Sequence, residues 1–254
     1  MNFFNNIPQL NNFITNINPS AIRFRGAVTE LYPAKFEPRK DSFNSNPLYG
    51  DNFYAQLELS VKNNPRIKEI AKQYGFPLKI NIQELENLKS GHLMDARVTA
   101  AKIYSALPSD MKTEVNLADL QQAAMLHDIG KIIIPDKILN KKGTLTPDER
   151  EIIEQHSEIG YEMLKDMNIK PEVLELVKYH HQNQNGSGYP QAKNDFEYNL
   201  GIQILKTADK YTALTEDRSY KKAMPKEEAL KIIYEDVQSG EIPIEIYNAL
   251  KNTA

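Results

Sequence analysis

The residues of this 254-residue chain that could do chemistry are five histidines and two carboxylates. Four of the histidines fall between Leu126 and Pro190. That stretch opens with His127-Asp128-Ile129-Gly130-Lys131, carries His156 in its middle, and closes with His180-His181 and Gly188-Tyr189-Pro190. Asp209 lies downstream and His92 upstream. Taken singly, each histidine reads as a satisfied core or surface residue. A convergent set reads differently, because buried carboxylates are costly unless paired or bound to metal. With no cysteine in the chain, a metal must be held by histidine and carboxylate, which suit Fe, Mn, Zn or Mg. Neighbours on a helix point about 100° apart, so His180 and His181 are expected to straddle two ions rather than share one. His127, Asp128, His156, His180, His181 and Asp209 exceed the three or four ligands of a single catalytic zinc. With Asp128 bridging, they suit a binuclear site roughly 3.5–4 Å across, the apparatus of phosphoester hydrolysis. Hard N/O donors favour two divalent ions, Fe or Mn first, with Mg at a weaker position.

Around this set stand residues suited to a phosphate substrate. Lys131 could pair with a phosphate oxygen or help a leaving oxygen take a proton; alternatively it offsets a helix dipole. The glycines of Gly186-Ser187-Gly188 permit positive φ and Pro190 fixes the exit, so the turn could bring Tyr189 over the histidines as a stacking lid. Arg218 and Lys221, about two and three helical turns past Asp209, could hold phosphate or be surface charges.

The elements that must position these groups read as helices. Residues 1–51 are rich in Asn and Pro and show no sustained period, so an irregular arm is expected, with a short strand near residues 21–31. Residues 52–80 suit two short helices, broken at Asn64-Pro65, padding a main domain over 81–254. Asn81 with Glu84 makes a capping box for one long helix expected to run to about Leu107. A helix from about Leu117 would end at His127. Thr146-Pro147-Asp148-Glu149 is the strongest helix start in the chain and turns His156 inward. Pro171 begins a helix leading to His180-His181, a further helix carries Ile202, Leu205, Ala208 and Asp209 on one stripe, and Pro225 starts the next. No alternating strand pattern competes, so the fold class is all-α.

Net charge is −3 with both signs interspersed, which offers no basic face for nucleic acid or anionic lipid. No basic leader and no stretch near the roughly 18 apolar residues of a membrane span is evident, so a cytoplasmic protein with no membrane partner is expected. Oligomeric state is not legible.

The ordered motifs resemble the HD-GYP family, the branch of the HD metal-dependent phosphohydrolases that degrades cyclic di-GMP. The resemblance covers about residues 90–235: His127-Asp128-Ile129-Gly130-Lys131, His156, His180-His181, Gly188-Tyr189-Pro190, Ala208-Asp209 and the run from Ala213 to Arg218. It implies an HD-domain helical bundle with a two- or three-metal iron or manganese site. It implies ligation by His127, Asp128, His156, His180, His181 and Asp209, with Lys131 near the scissile phosphate and Arg218 and Lys221 on the nucleotide. The family usually supplies a Glu and a His from the preceding helix, where this chain has Ser90 and Met94. His92, two residues from the His position, is the candidate replacement if the helix is shifted or rotated; Asp95 lies one turn later. Loss of the Glu points to two metals rather than three. Gln182, Asn185, Gln203 and Thr212 also replace the family's usual Glu or Asp, Asp, Arg and Asp. The expected activity is hydrolysis of cyclic di-GMP to pGpG and on to GMP. The alternatives are another nucleotide or cyclic dinucleotide, or a degenerate domain that binds a nucleotide or a protein partner through the N-terminal arm without hydrolysis.

Overall fold

The computed structural model describes residues 51–89, 91–191, 199–217 and 222–254. The expected arm and its strand, and Ser90, Arg218 and Lys221, lie outside the described residues. The chain divides into two compact units, residues 1–58 and 59–254, and all that follows on packing concerns the second.

Helices α1 (Asp51–Asn63) and α2 (Pro65–Gln73) break at the expected place. Asn64 is extended, its side-chain oxygen accepts from the amides of Arg66 and Ile67, and Pro65 occupies the first helical position where its missing N–H costs nothing. The Asn64 amide also donates to the backbone oxygen of Glu162 at 3.1 Å and to its carboxylate at 2.8 Å. One residue therefore caps a helix and ties it to the body.

The long helix expected from residue 82 is instead two, α3 (Ile82–Lys89) and α4 (His92–Ala106). Gly91 stands before α4 with no side-chain cap, and glycine in a helix interior costs about 1 kcal/mol relative to alanine. Of the capping box, only the Glu84 amide to Asn81 oxygen bond forms, at 3.1 Å; the Glu84 carboxylate accepts from Asn87 instead. The interruption makes His92 the first residue of α4.

Short α5 (Ser109–Lys112) leads to α6 (Leu117–Leu126), capped by Asn116. A 3₁₀ turn (Ile129–Ile133) and α7 (Asp136–Leu139) follow. Helix α8 (Pro147–Leu164) starts on the expected capping box, with Thr146 and Glu149 bonding reciprocally at 3.2 and 2.8 Å. Then come α9 (Pro171–Tyr179), α10 (Leu200–Thr215), α11 (Lys226–Gln238) and α12 (Ile244–Thr253). Among the described residues the all-α expectation holds apart from one short antiparallel ladder, β1 (His181–Gln182) with β2 (Gly188–Tyr189), pairing His181 with Tyr189 and Gln182 with Gly188.

Helix α4 is the centre of the bundle, packed against α6, α10 and α12, while α8 packs against the 3₁₀ turn and α9. Ala96, Ala100 and Ile103, at helical spacing on α4, are fully buried; the alanines let neighbouring backbones approach. Gly130 does the same for the 3₁₀ turn, where a Cβ would lie 1.9 Å from the His156 carbonyl oxygen. That contact sets the distance between Asp128 and His156.

Candidate metal centre

Three histidines are aimed by their own helices. His127 closes α6 and its Nδ1 lies 2.9 Å from the Ala124 oxygen. His156, within α8, and His180, closing α9, place Nδ1 2.7 Å from the oxygens of Ile153 and Val177. Each partner is the carbonyl three residues earlier, which can only accept, so each Nδ1 carries the proton and each Nε2 presents a lone pair to the interior. The Nε2 atoms of His156 and His180 are 3.1 Å apart. Two lone pairs at that distance repel unless a cation lies between them.

Protons are disfavoured there. Burial, reinforced by His181 and His127, holds the His180 pKa well below the usual imidazole range. His181 is pushed down to about 3, by burial first and then by His156.

The ligand atoms form two groups: His156, His180 and His181 in one, and His92, His127, Asp128 and Asp209 in the other, each within 4.8 Å of one another. Asp128 stands between them. Its Oδ1 is 3.3 Å from His156 Nε2, and its Oδ2 is 3.5 Å from His127 Nε2 and 2.6 Å from Lys131 Nζ. Burial pushes the carboxyl up, but Lys131 and His127 outweigh it and hold Asp128 ionised, well below the usual range. His127 Nε2 and Asp128 Oδ1 are buried with no hydrogen-bond partner, which in a native interior calls for an ion or a water.

Asp209, on α10, places Oδ1 3.0 Å from His92 Nε2 and 3.6 Å from His127 Nε2. Burial opposes its ionisation too, and His127 and His92 reverse that, keeping it low. His92 Nδ1 lies 2.9 Å from Glu216 Oε2. Burial lowers the His92 pKa, yet bonding to Asp209 and Glu216 prevails and lifts it to about 9. A positive charge is therefore welcome at this corner.

Seven expected residues thus converge. His180 and His181 do not straddle two centres as expected: α9 ends at Tyr179 and His181 has entered β1, so the 100° rule does not apply, and both join His156. Sequence reasoning gave no role to Glu216, which contacts His92; Asp95, a further ligand candidate one turn past His92, falls outside both ligand groups, and its carboxyl is raised to about 6 by burial and by Glu216. The available signal was spacing, since Glu216 follows Asp209 by seven residues, two turns of one helix.

The hairpin seats Tyr189 on the three-histidine group. Its ring stacks on His181 with centroids 4.5 Å apart and 30° between planes. Gly188 has φ +112°, and a Cβ there would meet the His181 oxygen at 2.4 Å. Helix α10 clamps this hairpin. Gln203 donates to the Gln182 backbone oxygen at 3.1 Å, Gln182 donates to the Pro190 oxygen at 2.5 Å, and buried Lys206 donates to Asn183.

The sequence pattern of the HD domain matches residues 57–242. The chain belongs to the HD domain family. Within that family, its His-Asp and Gly-Tyr-Pro signatures and its relatives support the HD-GYP branch. This HD domain is 43% identical over 123 residues to a cyclic di-GMP phosphodiesterase of Thermotoga maritima, covering 48% of this chain and 33% of the relative. It is 35% identical over 132 residues to a 3′3′-cGAMP-specific phosphodiesterase of Vibrio cholerae, covering 52% and 28%. This chain therefore matches about a third of the length of these relatives. A solved HDG"Y"P protein of Bdellovibrio bacteriovorus shares the fold, with a TM-score of 0.51 at 16% identity over 78% of this chain and 68% of that one.

Proposed function

We propose that this HD domain is a metal-dependent phosphodiesterase that opens cyclic di-GMP to linear pGpG and carries it on to GMP. The observation that carries the reading is Asp128 between two ligand groups, one carboxylate oxygen toward each. The donor set fits metal: the imidazoles of His180 and His181 kept neutral, ionised buried carboxylates, and two orphaned buried atoms. His156, His180 and His181 would hold one divalent ion and His92, His127 and Asp209 the other, with Asp128 shared. All-N/O donors favour Fe or Mn. Two such ions, when bound, acidify water and neutralise phosphate oxygens.

The side chains do the rest. In the reaction, a water gives up one proton as its oxygen bonds to phosphorus, the bond to the ribose 3′ oxygen breaks, and that oxygen takes up one proton, so none is gained or lost overall. Lys131, held at Asp128 and partly open to solvent, can donate a hydrogen bond to a non-bridging phosphate oxygen or supply that proton. Tyr189 offers a face beside His181 for a base, with Gly188 and Pro190 shaping its approach. Arg218 and Lys221 complete the proposal as phosphate-holding cations. A cytoplasmic setting is part of the proposal. Among the described residues no helix is long and apolar enough to cross a membrane. A protein partner for the N-terminal arm remains part of the proposal.

The test is direct: manganese- or iron-loaded protein is incubated anaerobically with cyclic di-GMP and products are resolved by chromatography. Appearance of pGpG is expected; a fully loaded protein that leaves cyclic di-GMP intact sinks the proposal. A second substrate, 3′3′-cGAMP, belongs in the same panel, because a relative named for it is 35% identical and the hairpin clamp carries uncharged Gln182 and Gln203 at two of its positions.

A further inference from the structure

His127, His156 and His180 each take their orienting acceptor from the preceding turn of their own helix, a carbonyl three residues back. His92 has no such turn. It is the first residue of α4, Gly91 before it is not helical, and the residue three back, Lys89, ends a different helix. Its Nδ1 instead reaches Glu216 Oε2 at 2.9 Å, across 124 residues of sequence.

We propose that Glu216 is the positioning residue that holds the His92 ring in its ligating orientation, doing from α10 what a helix carbonyl does for the other histidines. The geometry is specific. Asp209 lies within α10 and Glu216 closes it two turns later, so one helix meets both nitrogens of the same ring, Asp209 at Nε2 and Glu216 at Nδ1. With Nδ1 bonded to Glu216, the Nε2 corner of the ring faces Asp209 and His127, where a bound cation would take the place of the Nε2 proton. A carboxylate is also a stronger acceptor than a carbonyl, which makes the imidazole a better donor to a cation. The pair is sheltered, with side chains 17% and 22% exposed, so the contact is only partly screened by water. A helix that starts too late to orient its own histidine is thereby completed by the end of another.

This inference rests on the metal-site reading of the four-residue group. Full-length wild type, Glu216→Ala and Glu216→Gln are loaded with Mn²⁺, titrated with a graded chelator, and assayed for metal per chain and for thermal melting. Wild type is expected to hold two ions. Glu216→Ala should release one of them at about 10–100-fold lower chelator strength while keeping the other, and Glu216→Gln, which retains an acceptor oxygen, should fall between the two. Two ions held by Glu216→Ala as tightly as by wild type, or Glu216→Gln no better than Glu216→Ala, overturns the inference alone. Loss of both ions together with a collapse in melting also overturns it, since Glu216 would then support the fold at large. A wild type that takes up no ion sinks the metal-site reading itself, and the inference with it.

Discussion

At the scale of the residue, the centre is built from groups that make poor sense without a cation. Asp128 is buried and ionised, and its Oδ1 accepts no hydrogen bond. Asp128→Asn keeps the shape but removes the charge shared between the two groups. Metal content should drop below two per chain and turnover by more than about a hundredfold. Elemental analysis beside the chromatographic assay checks this, and a variant with full metal and full turnover would refute the shared role. Gly130 is as demanding for a different reason. Gly130→Ala places a methyl group against the His156 carbonyl, and the neighbour is backbone, which cannot rotate away. A loss of about 3 kcal/mol is expected, read by denaturant unfolding of the metal-free protein, where metal affinity does not enter.

At the scale of the element, what could be read in the sequence was what local chemistry decides. Asn64-Pro65 and Thr146-Pro147 start helices through caps and a proline, interactions made within four residues, and both appear where expected. The inward turn of His156 followed from the apolar stripe of α8. The break before His92 was missed because a lone glycine costs too little to overrule a continuous helical pattern; tertiary packing decides it. The shared placement of His180 and His181 was missed for a related reason. Nothing in Pro171–His181 announces that the helix stops at Tyr179, and the β1–β2 pairing that carries His181 away joins strands of two residues each, too short to show a period. Glu216 escaped because its partner lies 124 residues away in sequence. The hairpin yields its own prediction: Gly188→Ala combines an unfavourable φ with a clash against the His181 oxygen, displacing Tyr189. We expect KM to rise at least tenfold, with melting reduced by only a few degrees, because the hairpin lies outside the helical core. An unchanged KM would remove Tyr189 from the substrate site.

At the scale of the whole molecule, the proposed ligands come from α4, the end of α6, α8, the end of α9, β1 and α10, so the centre exists only when the bundle is assembled. A ligand that binds the folded chain alone at 100 times its Kd adds about 2.7 kcal/mol. For a domain of this size that corresponds to a rise of about 5–10 °C in melting temperature. Chelation should lower the midpoint by that amount and added Mn²⁺ restore it, as calorimetry would record; a midpoint indifferent to both would argue against bound metal.

The separation of His92 and Asp209, 117 residues apart in sequence yet 3.0 Å apart in space, carries a consequence for lifetime rather than catalysis. In a chain with no cysteine, a cation held by both would be its nearest equivalent to a crosslink, closing a loop whose entropy is worth on the order of 4 kcal/mol. The loaded chain would then open rarely and resist proteolysis, while the stripped chain would be cleared sooner. Metal supply would set how long the protein persists as well as how fast it works.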